Sequence, residues 1–153
     1  MNWKIRPRSF ALGMALAACS AFPALAALGG DAASIQQDAV HFKAAVRTTQ
    51  TQAYAVHEMQ TSGGATVREY VSPAGKVFGV AWEGPFLPDL QQLLGTSYER
   101  FTTAAKNRHG VRGPLAINES GLVLVSGGHM RAYRGTAYIP EMLPEGVHAD
   151  AIQ

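Results

Sequence analysis

The side chains able to do chemistry are few: His57-Glu58, Glu69 and His129 are the acid–base or metal candidates that fall on strand-like runs, with Ser126 as a nucleophile near His129. Adjacent residues on a strand point to opposite faces, so His57 and Glu58 cannot share a site through that strand. A zinc site needs three or four converging ligands, and the chain has no His-x-x-x-His or Cys-x-x-Cys spacing. In Ser126-Gly127-Gly128-His129 a tight Gly-Gly turn would set Ser126 opposite His129. A hydrolase also needs an orienting acid and an oxyanion hole, which the sequence does not name. The catalytic alternative is thus a small hydrolase or metal-dependent enzyme using His129 with Ser126 or Glu69. The plainer reading is a turn between small polar residues. Gly29-Gly30, Gly63-Gly64 and Gly127-Gly128 lack the Lys-Ser or Lys-Thr of a phosphate loop and also read as turns.

Arginines beside aromatic residues point toward binding instead. Arg68 falls among Tyr70, Phe78 and Trp82, and Arg131 falls beside Tyr133. Arginine lies readily over such rings. The seven residues Arg68, Tyr70, Phe78, Trp82, His129, Arg131 and Tyr133 form the candidate binding surface. The competing reading buries the aromatics and lets the arginines reach out at the rim. Lys106, Arg108, His109 and Arg112 follow a helix and suit its C-terminal dipole.

These residues need elements to position them. Ser34-Ile35-Gln36-Gln37 has the form of a capping box, opening a helix with Ile35, Ala39, Phe42 and Val46 on its apolar side and Asp38 on the other. Its expected length is about four turns. Residues 27–30 read as a short tether.

Period-two runs at Gln52–Gln60, Thr66–Val71 and Lys76–Trp82 predict three strands. Pro73-Ala74-Gly75 suits a three-residue hairpin, pairing Ser72 with Lys76, Tyr70 with Phe78, Arg68 with Val80 and Thr66 with Trp82. That register puts Val67, Glu69, Val71, Val77 and Ala81 on one face and Arg68, Tyr70, Phe78, Val80 and Trp82 on the other. With neither face polar, the hairpin is covered on both sides or offers one to a partner.

Pro88 then opens a second helix, with Leu90, Leu94, Phe101 and Ala105 along its stripe and Gly110 as its stop. Strand-like runs follow at Leu115–Asn118, Leu122–Ser126, His129–Tyr133 and Ala137–Ile139, with Gly127-Gly128 as a two-residue turn. The expected class is α+β: two amphipathic helices on an antiparallel sheet, in the order α-β-β-β-α-β-β-β(-β), as one domain over 27–153.

The first 26 residues are read as an export signal. Lys4, Arg6 and Arg8 precede an apolar run from Phe10 to Ala18, and Pro23 comes before the small-x-small pattern Ala24-Leu25-Ala26. Cleavage between Ala26 and Ala27 gives a soluble periplasmic protein. Leu16-Ala17-Ala18-Cys19 also fits a lipobox, and acylation at Cys19 would give an outer-membrane lipoprotein. Cys19 is the single cysteine, so no disulfide is expected. Of the 13 basic residues three lie in the leader, which leaves ten against 11 acidic ones and a net charge of about −1. That balance gives no reason to expect nucleic acid as a partner.

The strings Val67-Arg68-Glu69-Tyr70-Val71-Ser72-Pro73-Ala74-Gly75-Lys76-Val77-Phe78, Val80-Ala81-Trp82, Gly84-Pro85, Leu87-Pro88-Asp89-Leu90 and Val125-Ser126-Gly127-Gly128-His129-Met130-Arg131 resemble a family of exported bacterial proteins, domain of unknown function 2844. The resemblance spans the mature chain. It implies export and a single domain, favours cleavage at Ala26, and carries no catalytic residue or cofactor. The expectation is an envelope accessory protein binding another envelope protein or a small ligand, with membrane attachment only through Cys19. No catalytic, cofactor or metal residue is assigned.

Overall fold

The computed structural model describes residues 28–108 and 112–153. A 3-10 turn leads into helix α1 (Ile35–Phe42), followed by strands β1 (Val46–Gln50), β2 (Ala55–Gln60), β3 (Thr66–Val71) and β4 (Val77–Gly84). A helical stretch then runs as α2 (Leu90–Leu94), a 3-10 turn and α3 (Tyr98–Lys106). Strands β5 (Leu115–Glu119), β6 (Leu122–His129) and β7 (Ala132–Tyr138) complete the sheet, and two 3-10 turns lie in the segment 140–153. All seven strands form one antiparallel sheet in the order β1-β2-β3-β4-β7-β6-β5. The class is α+β.

The helices cover the inner face. Ile35, Ala39 and Phe42 of α1 and Leu90, Leu93 and Leu94 of α2 pack on Met59, Val67, Val80, Trp82, Leu122 and Leu124 of the sheet. The outer face over β3 and β4 carries Tyr70, Phe78 and Ala81, covered by Ile152, Met142, Leu143 and Val147 of the 140–153 segment. Gly79 makes this possible, because a Cβ there would meet Ile152 Cδ1 at 2.7 Å. Strand β4 is therefore buried on both sides, as its unbroken apolar run requires.

Several expectations are corrected. The β3–β4 hairpin keeps its Ser72–Lys76 closure, with Ser72 N–H donating to the Lys76 carbonyl at 2.9 Å. Beyond it, a bulge puts Tyr70 opposite Gly79, Arg68 opposite Ala81 and Thr66 opposite Glu83. One extra residue in β4 inverts the alternation. Val80 and Trp82 consequently join the inner core, and Ala81 joins the outer one.

Gly127-Gly128 is not a turn either. Strand β6 continues to His129, Met130 and Arg131 make the turn, and Arg131 takes a left-handed φ of 67°. The two glycines serve close approach: a Cβ on Gly127 would press on Pro114 at 3.0 Å, and one on Gly128 would strike the Ala132 carbonyl at 2.2 Å. Of the runs read as His129–Tyr133 and Ala137–Ile139, His129 ends β6, and Ala132-Tyr133 and Ala137-Tyr138 belong to one continuous strand, β7.

Helix α1 is shorter than expected, eight residues ending at Lys43 with φ 51°. Val46 then begins β1, a strand the periodicity did not reveal. The capping box is not made, since Ser34 gives no side-chain cap and its hydroxyl donates to the Asp31 carbonyl instead. The second helix starts at Leu90 rather than Pro88, with Asp89 as its cap: the carboxylate accepts from Gln91 N–H at 3.0 Å and Gln92 N–H at 3.1 Å. The supposed tether is tied down by Leu28, which is buried and donates to the Leu93 carbonyl, and by Gly29 and Gly30, which pair with Val77.

Candidate functional site

The outer face is covered only in part. Over β4, β7 and β6 a groove of about 950 Å³ stays open beside the 140–153 segment. Strand alternation builds it. Thr136 stands opposite Ala81 and Val125, and Arg134 stands opposite Glu83 and Gly127, so these residues share one face. Val125 is 43% exposed there, an apolar side chain at a position the helices never reach. Arg131 and His129 close one end at the β6–β7 turn, and Pro85 and Pro114 form walls.

Arg68 marks the boundary between the covered and open parts. Its Nε donates to Glu58 Oε2 at 2.8 Å, Nη2 to Glu83 Oε1 at 2.8 Å, and Nη1 to the Gln153 carbonyl at 3.2 Å. Burial alone would lower its pKa, but the hydrogen bonds and charges of Glu83 and Glu58 outweigh that and raise it. Tyr70 completes the clamp: its hydroxyl donates to the Gln153 carbonyl at 2.8 Å and accepts from Gln153 N–H at 3.1 Å. Burial raises the Tyr70 pKa.

The expected binding residues thus divide. Arg68, His129, Arg131 and Tyr133 line the open groove, and Trp82 also borders it. Tyr70 and Phe78 are fully packed under the 140–153 segment. The Trp82 side chain belongs to the inner core, where a Cβ on Gly135 would lie 2.2 Å from its ring, so the indole packs directly against that glycine. Sequence reasoning missed Val125 and Arg134, because the wrong β6–β7 turn hid their shared face, and Glu83, because the expected strand ends at Trp82.

The structure does not assemble the catalytic alternative. Ser126 stands opposite Gly135 and His129 opposite Ala132, three positions apart on β6 and so on opposite faces. Glu69 is on β3, wholly buried on the helix side. His57 contacts Thr48 Oγ1 at 3.0 Å, and burial lowers its pKa. Among the described residues no three His, Cys, Asp or Glu side chains gather as metal ligands. His109 of the basic cluster and the leader positions Cys19, Ala26 and Ala27 lie outside the described residues. No described helix is long and apolar enough to cross a membrane.

A second cluster, missed entirely, lies under α1. Asp38 is buried to 0% exposure rather than facing out, and meets the equally buried Glu69 across the helix–sheet boundary. Gln92 Nε2 donates to Asp38 Oδ1 at 2.5 Å, linking α1 to α2. Burial, with hydrogen bonding to Asp38 and its charge, pushes the Glu69 pKa up to about 9. Glu69 is therefore protonated at neutral pH, which relieves the repulsion between two buried carboxyls, and both Glu69 oxygens and Asp38 Oδ2 are otherwise without a hydrogen-bond partner. Burial raises Asp38 too, against the opposing hydrogen bonds of Gln92 and Glu69 and the charge of His41. A signal existed: Ile35, Asp38, Ala39 and Phe42 follow i, i+3, i+4, i+7 spacing. Neither carboxyl lines the groove, and the pair acts as a polar clasp between layers.

The family described as protein of unknown function, DUF2844, matches over residues 24–152. The chain belongs to the DUF2844 family. No curated protein and no solved structure matches it. Within DUF2844, then, this chain offers an antiparallel sheet with one face closed by helices and the other half open.

Proposed function

We propose that this DUF2844 protein is an exported accessory protein of the bacterial envelope that binds a partner through the open half of its outer sheet face. The observation that carries this reading is Val125, 43% exposed on β6 on the groove floor, with Arg134 of β7 between it and β4, where the 140–153 segment packs. Val125 shares its sheet face with Arg134 and the same groove with Arg131, and binding surfaces combine an apolar centre with a polar rim. Export rests on the leader pattern, with processing at Ala26 as the favoured route and acylation at Cys19 as the alternative.

Photo-crosslinking in intact cells tests the binding role. A photoreactive residue at position 125 is expected to give one adduct of defined mass, identified by mass spectrometry. The same residue at position 40, exposed on the helix side, is expected to give none. No adduct at 125, or equal adducts at both positions, refutes the reading. The intact mass of envelope-purified protein distinguishes the routes: a start at Ala27 means a soluble periplasmic protein, and an acylated Cys19 a lipoprotein.

A further inference from the structure

The groove's charge and its neighbour on the sheet indicate what it holds. Arg131 and Arg134 make no ion pair among the described residues. Glu83, the cross-strand neighbour of Arg134, is drawn away to Arg68 at 2.8 Å. The acid on the floor is already neutralised, and two arginine forks face the opening without a partner. Such forks match carboxylates in paired hydrogen bonds.

The adjoining half of the same face already holds polypeptide. Residues 149–153 cross it, with Ile152 in extended conformation (φ −94°, ψ 101°). The Ile152 side chain sits above Gly79, and the next backbone carbonyl is bound by Arg68 and Tyr70. Ile152 and Gln153 also form a wall of the open groove, so a second segment there would lie directly beside the first. An apolar side chain on Val125 would parallel Ile152 above Gly79, with Arg131 and Arg134, unlike Arg68, still free to take acids.

From this placement we infer that the groove binds an extended, acidic segment of a partner polypeptide, with an aliphatic side chain on Val125 and carboxylates on Arg131 and Arg134. The inference rests on the proposed binding role and gives its ligand class. A concave floor with apolar walls suits a chain better than the flat surface of a bilayer.

The test is a random dodecapeptide phage library panned on the immobilised mature protein. Selected peptides should be rich in Asp and Glu interleaved with aliphatic residues. Synthetic copies should bind R131E/R134E protein about tenfold or more weakly, with binding that weakens as salt rises. Circular dichroism and the urea midpoint confirm that this variant folds, and R131K/R134K should retain part of the affinity. Neutral or basic selected sequences, equal binding to the charge-reversed protein, or no enrichment would overturn the inference. Flotation of the protein with phosphatidylglycerol vesicles, lost in R131E/R134E, would replace the peptide with a lipid surface. A position-125 adduct alongside a failed peptide selection would leave the binding role standing and remove only the acidic-peptide ligand. Failure of both removes the binding role itself.

Discussion

Glu69 and Asp38 show how two side chains can join a helix to a sheet without an apolar contact. Two buried carboxylates would repel, so one must keep its proton. Glu69 does so up to about pH 9 when folded, against a usual value of 4.5. Between those values the native state holds a proton that the unfolded chain has released. The contribution is fully present below about pH 4.5 and is lost as pH rises toward about 9. The slope has an upper limit of about 1.4 kcal/mol per pH unit. Urea unfolding from pH 5 to 9 should therefore show stability falling in the wild type. E69Q, which carries donors but cannot ionise, should give a flatter profile. An equally steep fall in E69Q would place the titration elsewhere. At the opposite edge of the core, Gly135 lies beneath Trp82, and G135A should cost about 2 kcal/mol or more because the ring and the Val125 carbonyl leave no room. A urea midpoint unchanged from wild type would contradict that.

At the scale of elements, the order of helices and strands could be read from periodicity, while registers could not. Apolar alternation in Thr66–Val71 and Val77–Gly84 marks strands whatever residues face them, but at the bulge Gly79 lies against Ile152, far along the chain. No local pattern carries that contact. The Gly127-Gly128 string misled for a related reason, since its glycines answer to Pro114 and Ala132 rather than to a turn. Strand β1 escaped notice because Val46 continues the spacing of Ile35, Ala39 and Phe42 although Lys43 has already ended the helix. Half of the candidate surface followed from Arg68, Arg131 and their neighbours. The other half, Arg134, Glu83 and Val125, appears only once β6 and β7 are paired correctly. The helix signal at Asp89 has a measurable consequence: it caps α2 and also accepts from His41 at 3.1 Å, joining α1 to α2. D89A should lose about 1 kcal/mol in urea unfolding.

On the scale of the whole molecule, one feature divides closed face from open groove: the 140–153 segment, held at its end by Ile152, Arg68 and Tyr70. The aromatic rings beneath it pack on one another, with Tyr54 and Phe78 centroids 5.9 Å apart and Tyr70 and Phe78 6.2 Å apart. Lifting the segment would expose them and merge the two halves of the outer face. I152A removes its buried side chain above Gly79 and should cost about 2–4 kcal/mol. The loss need not be global, because the helix side of the sheet has its own, larger core. Hydrogen exchange separates the possibilities. Selective deprotection of the Ile152 and Gln153 amides, with β3 and β4 still protected, would mean that the segment opens as a unit of its own. In that event R68A should do the same by removing the bond to the Gln153 carbonyl and the charges that hold Glu58 and Glu83. Uniform deprotection of the whole sheet in I152A would instead make both cores one cooperative structure, and the boundary of the groove would be fixed for as long as the protein is folded.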